Sequence, residues 1–434
     1  MATTSRIVTL SSAIEQNTRI IDAYFTENGL PSPSLDASTP PDLPLPPQIA
    51  AAKEAALEAM DELQVLLLGP MPKIFHDLIH IVSAISSTNY AAQLTSAQPT
   101  SLTSLHGMAK FKMASAFPVS ETTTVPKLAE ASGLDNEDCA RLVRHAVASR
   151  LFLESSPGVI SHSGMSSAIA NVPLLRDWVE ETCENMWSSG PFIVSAMEKY
   201  PGSEEPGQSA YSLSRRTDRS FFEDLGTDET GAKAKRFADA MSFFQASPAM
   251  QTSLIVDNYD WKSYKTVVDV GGSHGAVMIE LAKQNPEMKC VVQDLPEVIT
   301  DAPKGIERVE FEPYNFFTEQ PVKGADVYFF RMIFHNWGDK YCIEILKNLI
   351  PALKKGSKVV INDHVVPPSG VLSPYKDRTV RAFDLVMKAN FNAKERTVDD
   401  WAKLLKAADE RFVIKEVTQP EGSQLQIIDV QWDT

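Results

Sequence analysis

An α/β fold with a mixed, doubly covered sheet is predicted by three features of this chain. The first is a strand, a glycine turn, a helix and a second strand in succession over 265–294, KTVVDVGGSHGAVMIELAKQNPEMKCVVQD. The second is an alternation of buried-strand and helix patterns that continues past Asp294 to the helix capped by Thr397. The third is a closing pair of strands, 412–418 and 425–432, joined through Pro420-Glu421-Gly422. Parallel strands followed by an antiparallel terminal pair imply a sheet of about seven strands with helices on both faces.

Composition narrows the function classes. The 434 residues suffice for two or three domains. No apolar run reaches the length of about 18 residues that a membrane span needs, and the first residues lack a basic region followed by an apolar core. Cys139, Cys183, Cys290 and Cys342 are far apart and read as buried thiols of a reducing, cytoplasmic setting. A net charge of -15 argues against general nucleic-acid binding.

In chain order, residues 11–25 have the spacing of an amphipathic helix, and 31–47 hold seven prolines, a linker or surface wrap. Helices follow over 50–68, ended by Gly69-Pro70, and 74–87, with a further apolar stretch at 90–96. Their Leu, Ile and Ala content predicts packing on a second copy, a homodimer. Residues 105–165 have the pattern of a small winged helix-turn-helix: an entry strand 119–123, a short helix 124–132 stopped by Gly133, a longer helix from Asn136, and strands 151–154 and 158–161. A DNA reader needs a basic second helix and wing, and here Glu137, Asp138 and Glu154 offset Arg141, Arg144 and Arg150. A long helix over 174–200 and two more over 221–225 and 232–246 lead to the glycine unit. Met186, Trp187, Met241 and Phe244 are soft, bulky residues suited to an apolar ligand cavity. The implied divisions are 1–49, 50–165, 166–245 and 246–434.

Thr266–Val270 carries four β-branched residues of five and reads as a buried strand. Gly271, Gly272 and Gly275, with Ser273 between them, let the backbone pass close under a ligand. Asp294 at the tip of the next strand can take both hydroxyls of a ribose. No Gly-Lys-Ser/Thr follows, so the loop is not a P-loop. Further strands over 306–311, 325–330 and 357–362 place Asn315, Arg331, His335, Asp363 and His364 at their carboxyl ends, where open α/β sheets bind ligands. Glu395 arrives in the loop before Thr397. A neutral imidazole held by carboxylates is a suitable general base near neutral pH. No His/His/acid set has convincing metal-ligand spacing, and no Gly-x-Ser-x-Gly elbow is present. The chemistry best served is deprotonation of an acidic hydroxyl beside a nucleoside-containing cofactor.

From about residue 70 onward the chain resembles the fungal- and plant-type S-adenosylmethionine-dependent small-molecule O-methyltransferases. VVDVGGSHG resembles their donor-binding loop, VVQDLPEVI the ribose-binding segment, FFRMIFHNWGDKYC the segment of the catalytic histidine, and INDHVVP and NAKERT the segments whose acids hold it. The resemblance implies a Rossmann-like class I methyltransferase domain with a seven-stranded mixed sheet, preceded by a helical dimerisation and winged-helix domain. It implies S-adenosyl-L-methionine bound by Gly271, Gly272, Ser273, Gly275, Asp294, Leu295, Asn315, Phe316 and Arg331, without metal. It places the base on His335 with Asp363 and Glu395 beside it, and a small-molecule acceptor among Met186, Trp187, Met241, Phe244, Met387, Lys388 and Asn390. Asn315 stands where the family usually has an acid, Asp363 where plant members have Glu, and Lys388 and Asn390 where apolar residues are common. Fungal relatives that keep the donor yet cyclise or dehydrate leave a second activity open.

Overall fold

The computed structural model describes residues 5–32, 45–79 and 102–433. Seven strands form one sheet: β4 (Thr266–Val270), β5 (Lys289–Asp294), β6 (Val309–Pro313), β7 (Val327–Arg331), β8 (Lys358–Asp363), β9 (Phe412–Thr418) and β10 (Gln426–Trp432). Their order is β6-β5-β4-β7-β8-β10-β9. β4 to β8 pair in parallel, and β10 runs antiparallel to both β8 and β9. Val268, Val270, Val291, Tyr328 and Phe330 enter one core, while Val267, Cys290, Val292, Val327 and Phe329 enter the other. Side chains alternate across a strand, so a strand buried on both faces must be apolar throughout, which is why these segments read as continuous runs.

Helices Asp339–Leu349 and Val398–Ala408 cover the first face through Cys342, Ile345, Leu346, Trp401 and Leu404. Helix Ala276–Gln284 covers the second through Val277, Met278 and Leu281. Strands β6 and β7 begin two or three residues later than their apolar runs do, because pairing sets their limits: Val309 opposes Cys290 and Val327 opposes Val267.

The N-terminal half has its own core. Helices Arg6–Glu27 and Pro47–Leu68 pack on each other, tied by Arg6 to Glu62 at 2.6 Å. The helix expected over 74–87 begins at Pro70 and is described to Ile79, while 90–96 and most of the proline-rich stretch lie outside the described residues. Helices Val125–Ser132 and Asn136–Ala148 are followed by a hairpin of β2 (Phe152–Ser156) and β3 (Val159–His162), and β3 also pairs with β1 (Thr122–Thr123). The Asp135 carboxylate caps the second helix by accepting from the Glu137 and Asp138 amides.

The continuous helix expected over 174–200 is not formed. It breaks into Leu175–Glu181, a π-turn Thr182–Trp187, a 3₁₀ turn Gly190–Phe192 and helix Ile193–Lys199. Pro191 has no amide to donate. The Ser189 hydroxyl takes the Asn185 carbonyl at 2.6 Å, and Arg215 takes that of Glu184 at 2.8 Å.

Candidate active site

The glycine turn follows β4 and is strapped beneath β5: the Gly271 and Gly272 amides both donate to the Gln293 carbonyl, at 2.7 and 3.1 Å. Gly271 has φ +78°, and a Cβ there would meet Ile333 at 2.4 Å. Gly275, at φ +74°, opens helix Ala276–Gln284, and its Cβ would meet Val292 at 2.9 Å. Between them Ser273 has φ 52°. That conformation aims the Ser273 amide at Asp294 Oδ2, 2.8 Å away, while the Leu295 amide donates to Oδ1 at 2.8 Å. Burial pushes the Asp294 carboxyl up, and these two amides partly oppose it.

Each Asp294 oxygen keeps a free lone pair, so the carboxylate is held in place without being used up. The Leu295 side chain itself is exposed. Phe316 lies beside Gly271 and meets Trp337 edge-on at 5.9 Å. Asn315 turns its oxygen on the Phe317 amide at 3.0 Å, an Asx-turn that occupies one acceptor lone pair. Arg331 binds Asn362 Oδ1 at 2.6 Å and the Met250 carbonyl, tying β7 to β8 and to the turn before the sheet. Burial lowers its guanidinium to about 10.

Asp269 was not among the residues singled out in the sequence. It is buried in β4 against Gly272. Burial first, and then Asp294, push its carboxyl to about 7, with Arg331 opposing. Its signal is an acid inside a strand of valines.

The second constellation follows β7. Met332, at φ 55°, turns the chain into the 3₁₀ turn Phe334–Asn336. The His335 amide donates to Asp363 Oδ2 at 3.3 Å, and its Nδ1 lies 3.0 Å from Glu395 Oε1 and 3.8 Å from Asp363 Oδ1. With Nδ1 directed at Glu395, Nε2 is the ring nitrogen left for a substrate. All three residues are buried. Three loops are laced to hold them. The Glu395 amide donates to Asp384 Oδ1 at 2.8 Å. Buried Arg396 reaches Asp339 and the Phe334 and Trp337 carbonyls, and the Val366 amide donates to the Arg396 carbonyl. Thr397 and Asp400 form a capping box that starts helix Val398–Ala408.

Burial opposes charge on His335, but the Asp363 and Glu395 carboxylates outweigh it and raise the imidazole to about 9. The resting imidazole is therefore protonated at neutral pH. Glu395, in direct contact, is the partner that stays ionised: burial works against it, and the imidazolium holds it below its ordinary value. Asp363, farther away, is pushed by burial up to about 6. Glu395 Oε2 is buried without a partner. Ligand atoms of the same three groups lie within 4.8 Å of one another, the only trio with metal-ligand spacing among the described residues.

The residues expected around an acceptor fall in two cores. Met186 and Met387 pack with Phe221, Val386 and Phe391, whereas Trp187, Met241 and Phe244 pack on the N-terminal core. The π-turn carries Met186 and Trp187 to opposite sides of that seam. Lys388 is engaged elsewhere, on Asn392 Oδ1 at 2.5 Å and the Ser203 carbonyl at 3.4 Å. Asn390 is buried, donates to the Val386 carbonyl and leaves Oδ1 without a partner. Two rings were not anticipated as a pair: His364 stacks on Phe383 at 5.7 Å, and Phe383 meets Phe244 at 6.0 Å.

Residues 205–410 match the family model of the O-methyltransferase domain. O-methyltransferase kk1A of Curvularia clavata is 34% identical over 99% of this chain and 98% of its own. Chlorophenol O-methyltransferase of Trichoderma longibrachiatum is 34% identical over 99% and 91%. Among solved structures, OxaC in complex with sinefungin and meleagrin superposes with TM-score 0.71 at 21% identity, over 97% of this chain and 99% of that one. LepI in complex with SAM gives TM-score 0.66 at 23% identity, over 89% and 100%. The chain belongs to the O-methyltransferase family, enzymes whose methyl donor is S-adenosylmethionine. No helix among the described residues is long and apolar enough to cross a membrane.

Proposed function

We propose that the enzyme methylates a phenolic or enolic hydroxyl of a small secondary metabolite, with His335 as general base. The observation that carries this reading is the buried His335–Glu395 contact of 3.0 Å, which leaves Nε2 to accept the proton once the ring is neutral. Bound S-adenosylmethionine supplies a methyl group already activated for displacement. The Gly271–Gly275 turn, Ser273, Leu295 and Phe316 shape its cradle, and Asp294 takes the ribose hydroxyls. Arg331 and Asn315 frame that cradle. A phenol has a pKa of about 10. Holding the imidazolium at about 9 brings base and acid within about one unit, so the transfer is nearly balanced as the oxygen attacks. Asp363 and Glu395 stabilise the charge that His335 acquires.

The acceptor lies at the seam of the two apolar cores, between Met186 and Met387 on one side and Trp187, Met241 and Phe244 on the other. The helical N-terminal region, with the helix pair and hairpin of a winged helix, serves a homodimer in this reading. The whole chain's net charge of -15 supports no role on DNA. The protein works in the cytoplasm, where its four buried thiols stay reduced.

The test is mass spectrometry of candidate phenols and enols incubated with labelled S-adenosylmethionine. One labelled methyl should be gained by wild type and fall by about 10²- to 10⁴-fold with His335→Ala, donor affinity being nearly unchanged. A product of unchanged mass, or one lighter by a water with the donor unconsumed, would establish a cyclase or dehydratase instead.

A further inference from the structure

His364 follows Asp363 at the end of β8, and its amide donates to Asp363 Oδ1 at 3.2 Å. Its ring lies 6.4 Å from that of His335 and stacks on Phe383 at 5.7 Å with an interplanar angle of 22°. Phe383 in turn meets Phe244. A row of rings therefore runs from helix Ala232–Gln245, across helix Pro374–Phe391, to the base. Burial holds the His364 imidazole below its ordinary pKa and His335 adds to that, while Glu395 and the Gln424 carbonyl pull the other way. A neutral imidazole carries one N–H and one lone pair. Whichever nitrogen carries the N–H, the other is an acceptor, and among the described residues no side chain hydrogen-bonds the ring.

We propose that His364 is the specificity-determining contact of the acceptor site, selecting aromatic acceptors that bear a second hydroxyl next to the one methylated. The stacked Phe383 and His364 rings give a flat wall for an arene. One hydroxyl meets His335 Nε2, and its neighbour donates to the free nitrogen of His364, the two ring centroids being 6.4 Å apart. An acceptor lacking the second hydroxyl leaves that nitrogen unpaired in a half-buried site, a loss of the size that discriminates between substrates. The inference rests on the reading of His335 as base.

The experiment compares kcat/KM for catechol, guaiacol and phenol, and for the matching naphthalene-2,3-diol, 3-methoxy-2-naphthol and 2-naphthol, in wild type, His364→Phe and His364→Gln. Wild type should favour each diol over both partners by about 10- to 100-fold. His364→Phe keeps the stack and should reduce the ratio to about two, the statistical factor of two equivalent hydroxyls. His364→Gln, with an acceptor oxygen, should recover most of the preference. A wild-type ratio near two, or one unchanged in His364→Phe, overturns the proposal while leaving His335 as base. Full turnover in His335→Ala, or methylation of none of the six, overturns both readings. If His364→Phe fails to bind donor in calorimetry, the wild-type diol against methoxy comparison decides.

Discussion

His335 is an unusual base in being charged when idle. Only the neutral ring accepts a proton, so kcat/KM should climb as pH rises from 7 and level off above about 9, where the imidazolium is lost. Asp363→Asn removes one of the two charges that raise it. The climb should then move to lower pH and its plateau should fall, because the base is weaker. Stability should follow the opposite course. The folded pKa lies above the unfolded value of about 6.5, so the contribution is fully present below that pH and is lost as pH passes through about 9. Denaturant midpoints at pH 6 and pH 10 for wild type and His335→Gln should show the wild-type advantage at pH 6 shrinking at pH 10. Asp294, His335, Asp363 and Glu395 were legible because each ends a strand or sits in a patterned loop. The protonation state was not, since it depends on burial and on a 3.0 Å contact across sixty residues of sequence.

Single elements carry two further expectations. Gly271→Ala places a methyl group against Ile333 at a positive φ. Isothermal calorimetry should show donor affinity lowered by more than about tenfold, since the strain of about 1–3 kcal/mol falls on the cradle. Thr397→Ala removes half of a capping box and should cost about 1 kcal/mol in urea unfolding. Most elements followed from periodicity and caps, including helix Ala276–Gln284 and strand β9, whose limits match their patterns. The broken helix after Leu175 is instructive. The expected helix ran straight through Pro191, and the π-turn before it is held by Arg215, a partner no local pattern reveals.

At the scale of the molecule, the division of acceptor residues between two cores could not be read from sequence, because which helix faces which is a tertiary fact. The N-terminal helices leave Ile7, Leu57, Met60, Leu66 and Leu67 exposed. Such a surface on a lone chain would be a large apolar patch. Light scattering should therefore give twice the chain mass of 47.8 kDa, and Met60→Asp with Leu67→Asp should halve it. A chain mass that stays near 47.8 kDa at micromolar concentration in wild type would remove the homodimer.

The Asp294 carboxylate is gripped by main-chain amides of Ser273 and Leu295, not by their side chains. Drift at position 295 is therefore nearly free among residues other than proline, and position 273 is confined only by its backbone twist to small residues that accept it. Glycines 271 and 275 and the acid itself have no such latitude. The lettering of this loop can thus change while the grip on the Asp294 carboxylate persists, because the glycines and the main-chain amides, not the side chains between them, set it.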